Sequence, residues 1–179
     1  MPGDSNQARL AEILYQCTFE LLTELGARPE RNAGVRQPPP TGESIAAFSG
    51  FCNSELRGSF TLEGPSKLFA RLHPIPPTMT PRDLTDWACE MVNQSVGRFR
   101  NRLLAYGVSL VTSLPQSALG EKMLLSSSLR PSPTPISFAI DKMVLDGWLE
   151  LEIQAGFRLV ENPSDQAGAA LTEGSIVIF

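Results

Sequence analysis

The sequence predicts an α+β protein with a mostly antiparallel sheet and long helices packed on one face. Two segments, 6–25 and 81–106, carry apolar residues at helical spacing. Shorter segments that alternate apolar and polar residues, or that flank turn residues, follow each of them. The order is helix, two strands, long helix and then several strands, which favours this fold class. We find no repeat, so 1–179 is predicted to be a single domain.

Composition describes an ordinary folded protein. The 179 residues are 42% hydrophobic and 19% charged, enough to bury a sizeable core. The net charge of -4 argues against a nucleic-acid binder, which needs a basic face. No apolar run reaches the roughly 20 residues that span a bilayer, and the N-terminus does not resemble a signal peptide. We therefore expect a cytoplasmic protein without membrane insertion, with Cys17, Cys52 and Cys89 as reduced, buried thiols.

The first half of the chain contains a helix, a loop and a strand pair. Ser5 or Asn6 could cap the first helix, and Gly26 stands where a C-terminal capping glycine belongs. Proline and glycine make 28–42 a surface loop. The strands are predicted over 44–52 and 55–62, and a short helix over 66–72 follows them.

The long helix has its own start and stop signals. Thr80 is predicted to cap it, Pro81 to take its first position, and Asp83 lies three residues after the cap. The helix should run to about Tyr106 and end at Gly107.

The remaining segments predict further strands. The strongest hairpin signal is Asp146-Gly147, a dipeptide typical of tight turns. The predicted segments are strands 108–112 and 122–127, a Ser/Pro-rich loop 126–135, hairpin strands 136–145 and 148–157, a polar stretch 161–174 and a final strand 175–179.

At about 100° per residue, the long helix has two unlike sides. The core side is predicted to contain Leu84, Trp87, Ala88, Met91, Val92, Phe99 and Leu103. The opposite side collects Asp86, Glu90, Asn93 and Gly97, and Arg100 continues it. A solvated face is the ordinary interpretation of such a pattern. However, Asn is a mediocre helix former, and Gly costs about 1 kcal/mol against Ala. Gly97 would leave a notch where another surface can approach.

Other chemistry finds little support in the sequence. His73 is the only histidine, and no G-x-S-x-G elbow accompanies it. One histidine and three scattered cysteines do not make a usual zinc site, and phosphate-binding glycine loops are absent. Trp87 and Trp148 are predicted to be core or interface anchors. The remaining basic side chains are predicted to be solvated: Lys67, Arg71, Arg98, Arg100 and Arg102.

The block from Asp86 to Leu103, followed by Leu114-Pro115, resembles the signature helix and trailing proline of the CheC/CheX/FliY phosphatases. The strand pair before it resembles that of CheX, so the likeness covers roughly 44–125. The fold expected from this resemblance is the CheC-like α+β fold.

The family removes phosphate from the aspartyl-phosphate of CheY-like response regulators. The resemblance implies that Asn93 orients the attacking water and that Glu90 pairs with the regulator's active-site lysine. Asp86, Gly97 and Arg100 would support the contact between the two proteins. The chain would need no metal of its own, because Mg²⁺ and the phosphorylated aspartate would be supplied by the regulator.

CheC and FliY carry two such helices, whereas no glutamate of the first helix here has an asparagine three residues later. One site per chain indicates the CheX-like branch, which is a homodimer.

Two other functions remain open at this point. The same helix could bind a regulator or a chemotaxis or flagellar component without hydrolysis, although pure binding would not need both Glu90 and Asn93. An independent small-molecule hydrolase would need a pocket built around His73.

Overall fold

The computed structural model describes residues 2–32, 42–75, 79–121, 123 and 133–159. Within these ranges the helices are α1 (Pro2–Glu24), α2 (Ser66–Leu72) and α3 (Pro81–Leu104). The strands are β1 (Glu30–Asn32), β2 (Glu43–Cys52), β3 (Leu56–Pro65), β4 (Val111–Thr112), β5 (Gln116–Glu121), β6 (Thr134–Pro135), β7 (Ser137–Ile140) and β8 (Met143–Ile153).

The strands form one mostly antiparallel sheet, as the sequence predicted. Its order is β1-β7-β8-β3-β2-β4, while β5 also pairs with β2 and β6 with β8. The centre is built by β2, β3 and β8, whose register places Phe48 opposite Thr61 and Thr61 opposite Trp148. The predicted α+β fold class is confirmed.

The core lies between the helices and one face of this sheet. Phe51 of β2 meets Phe99 of α3 edge-to-face, with ring centroids 5.5 Å apart. The largest fully buried side chains include Phe60, Phe69, Phe99, Phe138, Leu10, Leu14, Leu21 and Leu22. Both long helices therefore direct an apolar side at the sheet and leave their opposite sides to solvent.

The helix ends follow local rules only in part. Gly26 has φ +82°, and the Ala27 amide donates to the Leu22 carbonyl at 3.0 Å, which completes the predicted glycine cap. The start of α1 was wrong, because the helix begins at Pro2 and neither Ser5 nor Asn6 caps it. Instead, the Asn6 side chain donates to the Phe157 carbonyl at 3.0 Å.

The start of α3 is confirmed. The Asp83 amide donates to Thr80 Oγ1 at 3.2 Å, and the Thr80 amide donates to Asp83 Oδ2 at 2.8 Å, forming a capping box with Pro81 at the first position. The Thr80 hydroxyl, which donates to Asp83 Oδ2 at 2.7 Å, and the Thr80 amide lower the pKa of the Asp83 carboxyl. The helix ends at Leu104, and Gly107 follows with φ +76°. The start of α3 is thus fixed by hydrogen bonds between neighbouring residues.

Two ion pairs join α1 to α3. Arg98 Nη1 donates to Glu24 Oε1 at 2.9 Å, and Arg102 Nη2 donates to Glu20 Oε2 at 2.8 Å. The hydrogen bonds from Arg98 lower the pKa of Glu24. The prediction that these arginines are merely solvated was wrong, and it was also wrong for Arg71, which pairs with Asp141. Because the later glutamate of α1 pairs with the earlier arginine of α3, the two helices run antiparallel.

The predicted hairpin turn at Asp146-Gly147 was also wrong. The chain turns at Asp141 and Lys142, whose φ values of +48° and +67° are those of a tight hairpin turn. Asp146 and Gly147 lie inside β8, opposite Glu63 and Leu62. Gly147 is there because of crowding, since a Cβ atom would stand 2.5 Å from the Ile136 carbonyl oxygen.

Gly147→Ala is expected to destabilise the fold by about 1–3 kcal/mol, the usual cost of overpacking a core. The neighbouring atom is backbone, so it cannot swing away as a side chain could. Urea denaturation measures the free energy of unfolding. Gly97→Ala is the matched control, because a Cβ there meets nothing within 4 Å. Equal stabilities for the two variants would contradict this explanation of Gly147.

Several predicted boundaries need correction. The predicted loop 28–42 includes β1, which pairs with β7, and its residues 33–41 lie outside the described part. Of the predicted strand 108–112, only Val111–Thr112 form a strand, β4. The last two residues of the predicted loop 126–135 form β6. Residues 122, 124–132 and 160–179 lie outside the described residues, so strands 122–127 and 175–179 and the polar stretch 161–174 stay predictions.

Candidate functional site

The polar side of α3 lies where the helical periodicity predicted it. Asp86, Glu90 and Asn93 are exposed, and Gly97 and Arg100 are half-buried. The opposite side is buried through Ala88, Met91, Val92, Ser95, Val96, Phe99 and Leu103. We call the five residues Asp86, Glu90, Asn93, Gly97 and Arg100 the α3 stripe. The core therefore holds α3 from Ala88 to Leu103, under most of this stripe.

Glu90 and Asn93 are neighbours one turn apart, and they differ in their contacts. Gln94 Nε2 donates to Glu90 Oε1 at 2.8 Å, which restrains the carboxylate. Within the described residues, no hydrogen bond engages the Asn93 carboxamide. The sequence reasoning missed Gln94, although its i,i+4 spacing from Glu90 could have revealed it. The stripe thus presents a hydrogen-bonded carboxylate, Glu90, beside an amide, Asn93, that has no hydrogen-bond partner among the described residues.

Asp86 lies one turn before this pair. Its Oδ2 is 3.7 Å from Arg82 Nε, and the two side chains are 72% and 89% exposed. An exposed pair of this kind contributes little to stability. Asp86 is therefore available to a partner at small cost to the fold.

Gly97 opens the stripe to close approach. A Cβ at this position would meet nothing within 4 Å, so no internal contact requires a glycine here. Gly58 and Gly147 differ, because a Cβ there would stand 2.2 and 2.5 Å from backbone oxygens. The space over Gly97 is therefore open, and the glycine costs the helix about 1 kcal/mol. The predicted notch for a partner stays a prediction.

Arg100 differs from the other arginines of α3. Arg82, Arg98 and Arg102 each lie next to an acidic side chain, whereas Arg100 Nη2 contacts the Asn101 Oδ1 atom at 3.5 Å. Among the described residues, Arg100 has no acidic partner. Its charge remains available at the outer surface of the helix.

The residues that other chemistries would use, His73 and possible metal ligands, form no site of this kind in the described part of the chain. His73 Nδ1 lies 2.6 Å from the Ile75 carbonyl oxygen, and the ring stands edge-on to Trp87 at 5.0 Å. His73 is thus occupied by its own loop and by α3. No group of three or more His, Cys, Asp or Glu in the described part of the chain could hold a metal ion.

The cysteines were only partly predicted. All three are free, but only Cys17 is buried, while Cys89 is half-buried and Cys52 is exposed. Burial raises the pKa of Cys17 to about 11, so this thiol stays protonated. Among the described helices, none is long and apolar enough to cross a membrane.

No protein-family model and no curated protein sequence matches the chain. Several solved structures match it in fold. The chain is similar to chemotaxis protein CheX from Vibrio vulnificus, with a TM-score of 0.70 and 13% identity over 82% of this chain and 98% of that chain. A CheC-like protein from Shewanella oneidensis matches with a TM-score of 0.66 and 15% identity, over 83% and 99% of the two chains.

A third match is a complex. The CheX-CheY-BeF3-Mg²⁺ structure from Borrelia burgdorferi matches with a TM-score of 0.55 and 12% identity, over 79% of this chain and 96% of that chain. At these identities the likeness concerns the fold. The antiparallel sheet, the two long helices and these matches together show that the chain has the CheX/CheC/FliY-like fold.

Proposed function

We propose that this protein is a phosphatase that removes phosphate from the aspartyl-phosphate of a CheY-like response regulator. The observation that carries the proposal is the exposed Glu90/Asn93 pair on a helix whose other side is packed in the core, beside the open space at Gly97. The match to a CheX-CheY complex supports the choice of partner.

Asn93 has the chemistry that hydrolysis needs. Its carboxamide oxygen can accept a hydrogen bond from a water molecule and aim that molecule at phosphorus. A new bond then forms between the water oxygen and phosphorus, while the bond from phosphorus to the aspartyl oxygen breaks. The products are inorganic phosphate and the regulator's free carboxylate. Such a reaction depends mainly on positioning and electrostatic stabilisation, which suits a residue on a helix whose inner side is packed in the core.

Glu90 provides the docking contact. Its carboxylate would pair with the lysine of the regulator's active site and fix the register in which Asn93 enters that site. The hydrogen bond from Gln94 limits the rotamers of Glu90 before binding, so less side-chain entropy is lost on docking. Asp86 would support the same contact one turn away.

The other parts of the reaction would come from the partner and from a second copy. Mg²⁺, held by the regulator's carboxylates, would neutralise charge on the phosphoryl group, so the chain would need no metal of its own. We also propose a homodimer, because the single site per chain resembles the CheX-like branch, whose members are homodimers. Light scattering on the purified protein gives its mass directly.

Binding without hydrolysis is the competing function. The same stripe could grip a regulator and leave its phosphate untouched, which the assays below distinguish from catalysis. A small-molecule hydrolase based on His73 would instead require activity that is lost when His73 is replaced.

Glu90→Ala is expected to weaken docking by about 2 kcal/mol, or roughly 30-fold in KM, because it leaves the regulator's lysine without a partner at the interface. The rate at saturating regulator should change much less. Both constants are obtained by following phosphate loss from a phosphorylated CheY-like regulator at increasing concentrations.

Glu55→Ala is the control for this experiment, since Glu55 is also exposed but lies in the turn between β2 and β3. It should leave both constants unchanged. If Glu90→Ala and Glu55→Ala behave alike, Glu90 has no docking role.

A further inference from the structure

The outer side of α3 continues beyond the α3 stripe to an exposed apolar residue. Leu104 lies 18 residues after Asp86, which is five turns of an α-helix, so the two side chains share one direction. Leu104 is 42% exposed although it is aliphatic. A single exposed leucine needs no explanation. Its alignment with Asp86, Glu90, Asn93 and Gly97 distinguishes Leu104 from the other exposed apolar residues.

The charges along this side follow an order. Acidic Asp86 and Glu90 lie at the N-terminal half of α3, Asn93 and Gly97 near the middle, and Arg100 beyond them. Arg98 and Arg102 do not contribute to this order, because both turn toward α1 and pair with its glutamates. Arg82, one turn before Asp86 on the same side, lies next to Asp86 at the start of this line. Beyond that pair, the surface changes from acidic to basic to apolar.

We propose that Arg100 and Leu104 form a second docking contact for the phosphorylated regulator and set the direction in which it lies along α3. This inference rests on the proposed function. The regulator's lysine would face Glu90, an acidic part of its surface would face Arg100, and an apolar side chain would cover Leu104. A regulator in the reverse orientation would bring its lysine to Arg100, where like charges repel.

Size and charge fit this occupant. At 1.5 Å per residue, the line from Asp86 to Leu104 is about 27 Å long. A domain of about 100 residues has a radius of gyration of about 13 Å, so one receiver domain can cover the whole line. Arg100 has no acidic partner within the described residues, so its charge complements an acidic part of the regulator's surface beside the phosphorylated site. Gly97, between the two contacts, lets the surfaces meet without a side chain in the way.

The test compares Leu104→Glu and Arg100→Glu with two matched controls. Ile75→Glu changes an apolar side chain that is 68% exposed between α2 and α3. Arg158→Glu reverses an exposed charge after β8. Binding to a regulator loaded with beryllium fluoride and Mg²⁺ is measured by calorimetry, and phosphate loss is measured in parallel. Circular dichroism checks that each variant is folded.

Leu104→Glu and Arg100→Glu should each raise Kd and KM about tenfold, the change that 1.4 kcal/mol produces, while the rate at saturation stays near that of the unmodified protein. The Arg100→Glu effect should shrink at high salt. Variants that bind like their controls would overturn the inference and leave the proposed function standing. An unmodified protein that neither binds nor dephosphorylates any regulator would overturn both.

Discussion

Replacing Asn93 with alanine is expected to slow phosphate loss from the regulator by about 10²–10³-fold, the usual effect of removing one preorganised polar group from a reacting centre. The side chain is exposed, so its loss should leave the free energy of unfolding nearly unchanged. Binding of a beryllium fluoride-loaded regulator should also stay within a few-fold, because Glu90 remains. The substitution should therefore lower the rate of phosphate loss at saturating regulator.

Two further variants make this result interpretable. Asn93→Asp keeps the shape but places a carboxylate beside the phosphoryl group, so it should be as slow as alanine. Gln154→Ala removes an exposed amide at the end of β8 and should be silent. If Asn93→Ala retains the full rate, a catalytic role for Asn93 is wrong.

Gly97 should show opposite effects on stability and function. Gly97→Ala is expected to stabilise the protein by about 0.5–1 kcal/mol, because alanine favours the helix and its Cβ enters open space. Gly97→Leu should not clash with the fold either, yet its side chain occupies the surface where the regulator approaches. We expect Gly97→Leu to weaken docking by about 1–3 kcal/mol, or roughly 5- to 150-fold in KM.

Denaturation and phosphate-loss assays on the same samples separate the two effects. Ala105, which follows α3, provides the control, because Ala105→Leu adds a similar side chain near the far end of the helix. A Gly97→Leu variant that docks normally would show that the notch has no part in the contact. A variant that unfolds more readily would show that the glycine serves the fold instead.

Those elements whose signals are local could be predicted from sequence. The capping box of Thr80 and Asp83, the glycine at position 26 and the period of α3 depend on residues within one or two turns of each other. The alternation of apolar and polar residues predicted a strand at β3, although its burial does not alternate from Phe60 to Gly64. Such features determined the fold class and the outward direction of Asp86, Glu90 and Asn93.

The errors arose where distant contacts outweigh local preference. Asp146-Gly147 has the composition of a turn, but the Ile136 carbonyl and Leu62 approach Gly147 so closely that only glycine fits in that strand. The turn was formed by Asp141 and Lys142, a pair without glycine. Strand β5 was not predicted, because its sequence, Gln-Ser-Ala-Leu-Gly-Glu, is small and polar. In the described structure its only strand partner is β2.

The sequence predicted which residues lie at the site, but not the hydrogen bonds and ion pairs between their side chains. Helical angles placed Glu90 and Asn93 on one side, but the hydrogen bond from Gln94 to Glu90, which their i,i+4 spacing allows, was not predicted. The pairing of Arg98 and Arg102 with α1, which leaves Arg100 unpaired within the described chain, depends on how two helices meet. Sequence periodicity carries no information on that packing.

The most direct test of the central claim is turnover. A CheY-like regulator, labelled on its aspartyl-phosphate, is mixed with one tenth of its concentration of this protein, and inorganic phosphate is followed over time. Our account predicts that phosphate is released well above the regulator's own rate and that each molecule acts on many regulators in succession. Release at the regulator's own rate, despite binding of the regulator, would show a docking protein rather than a phosphatase.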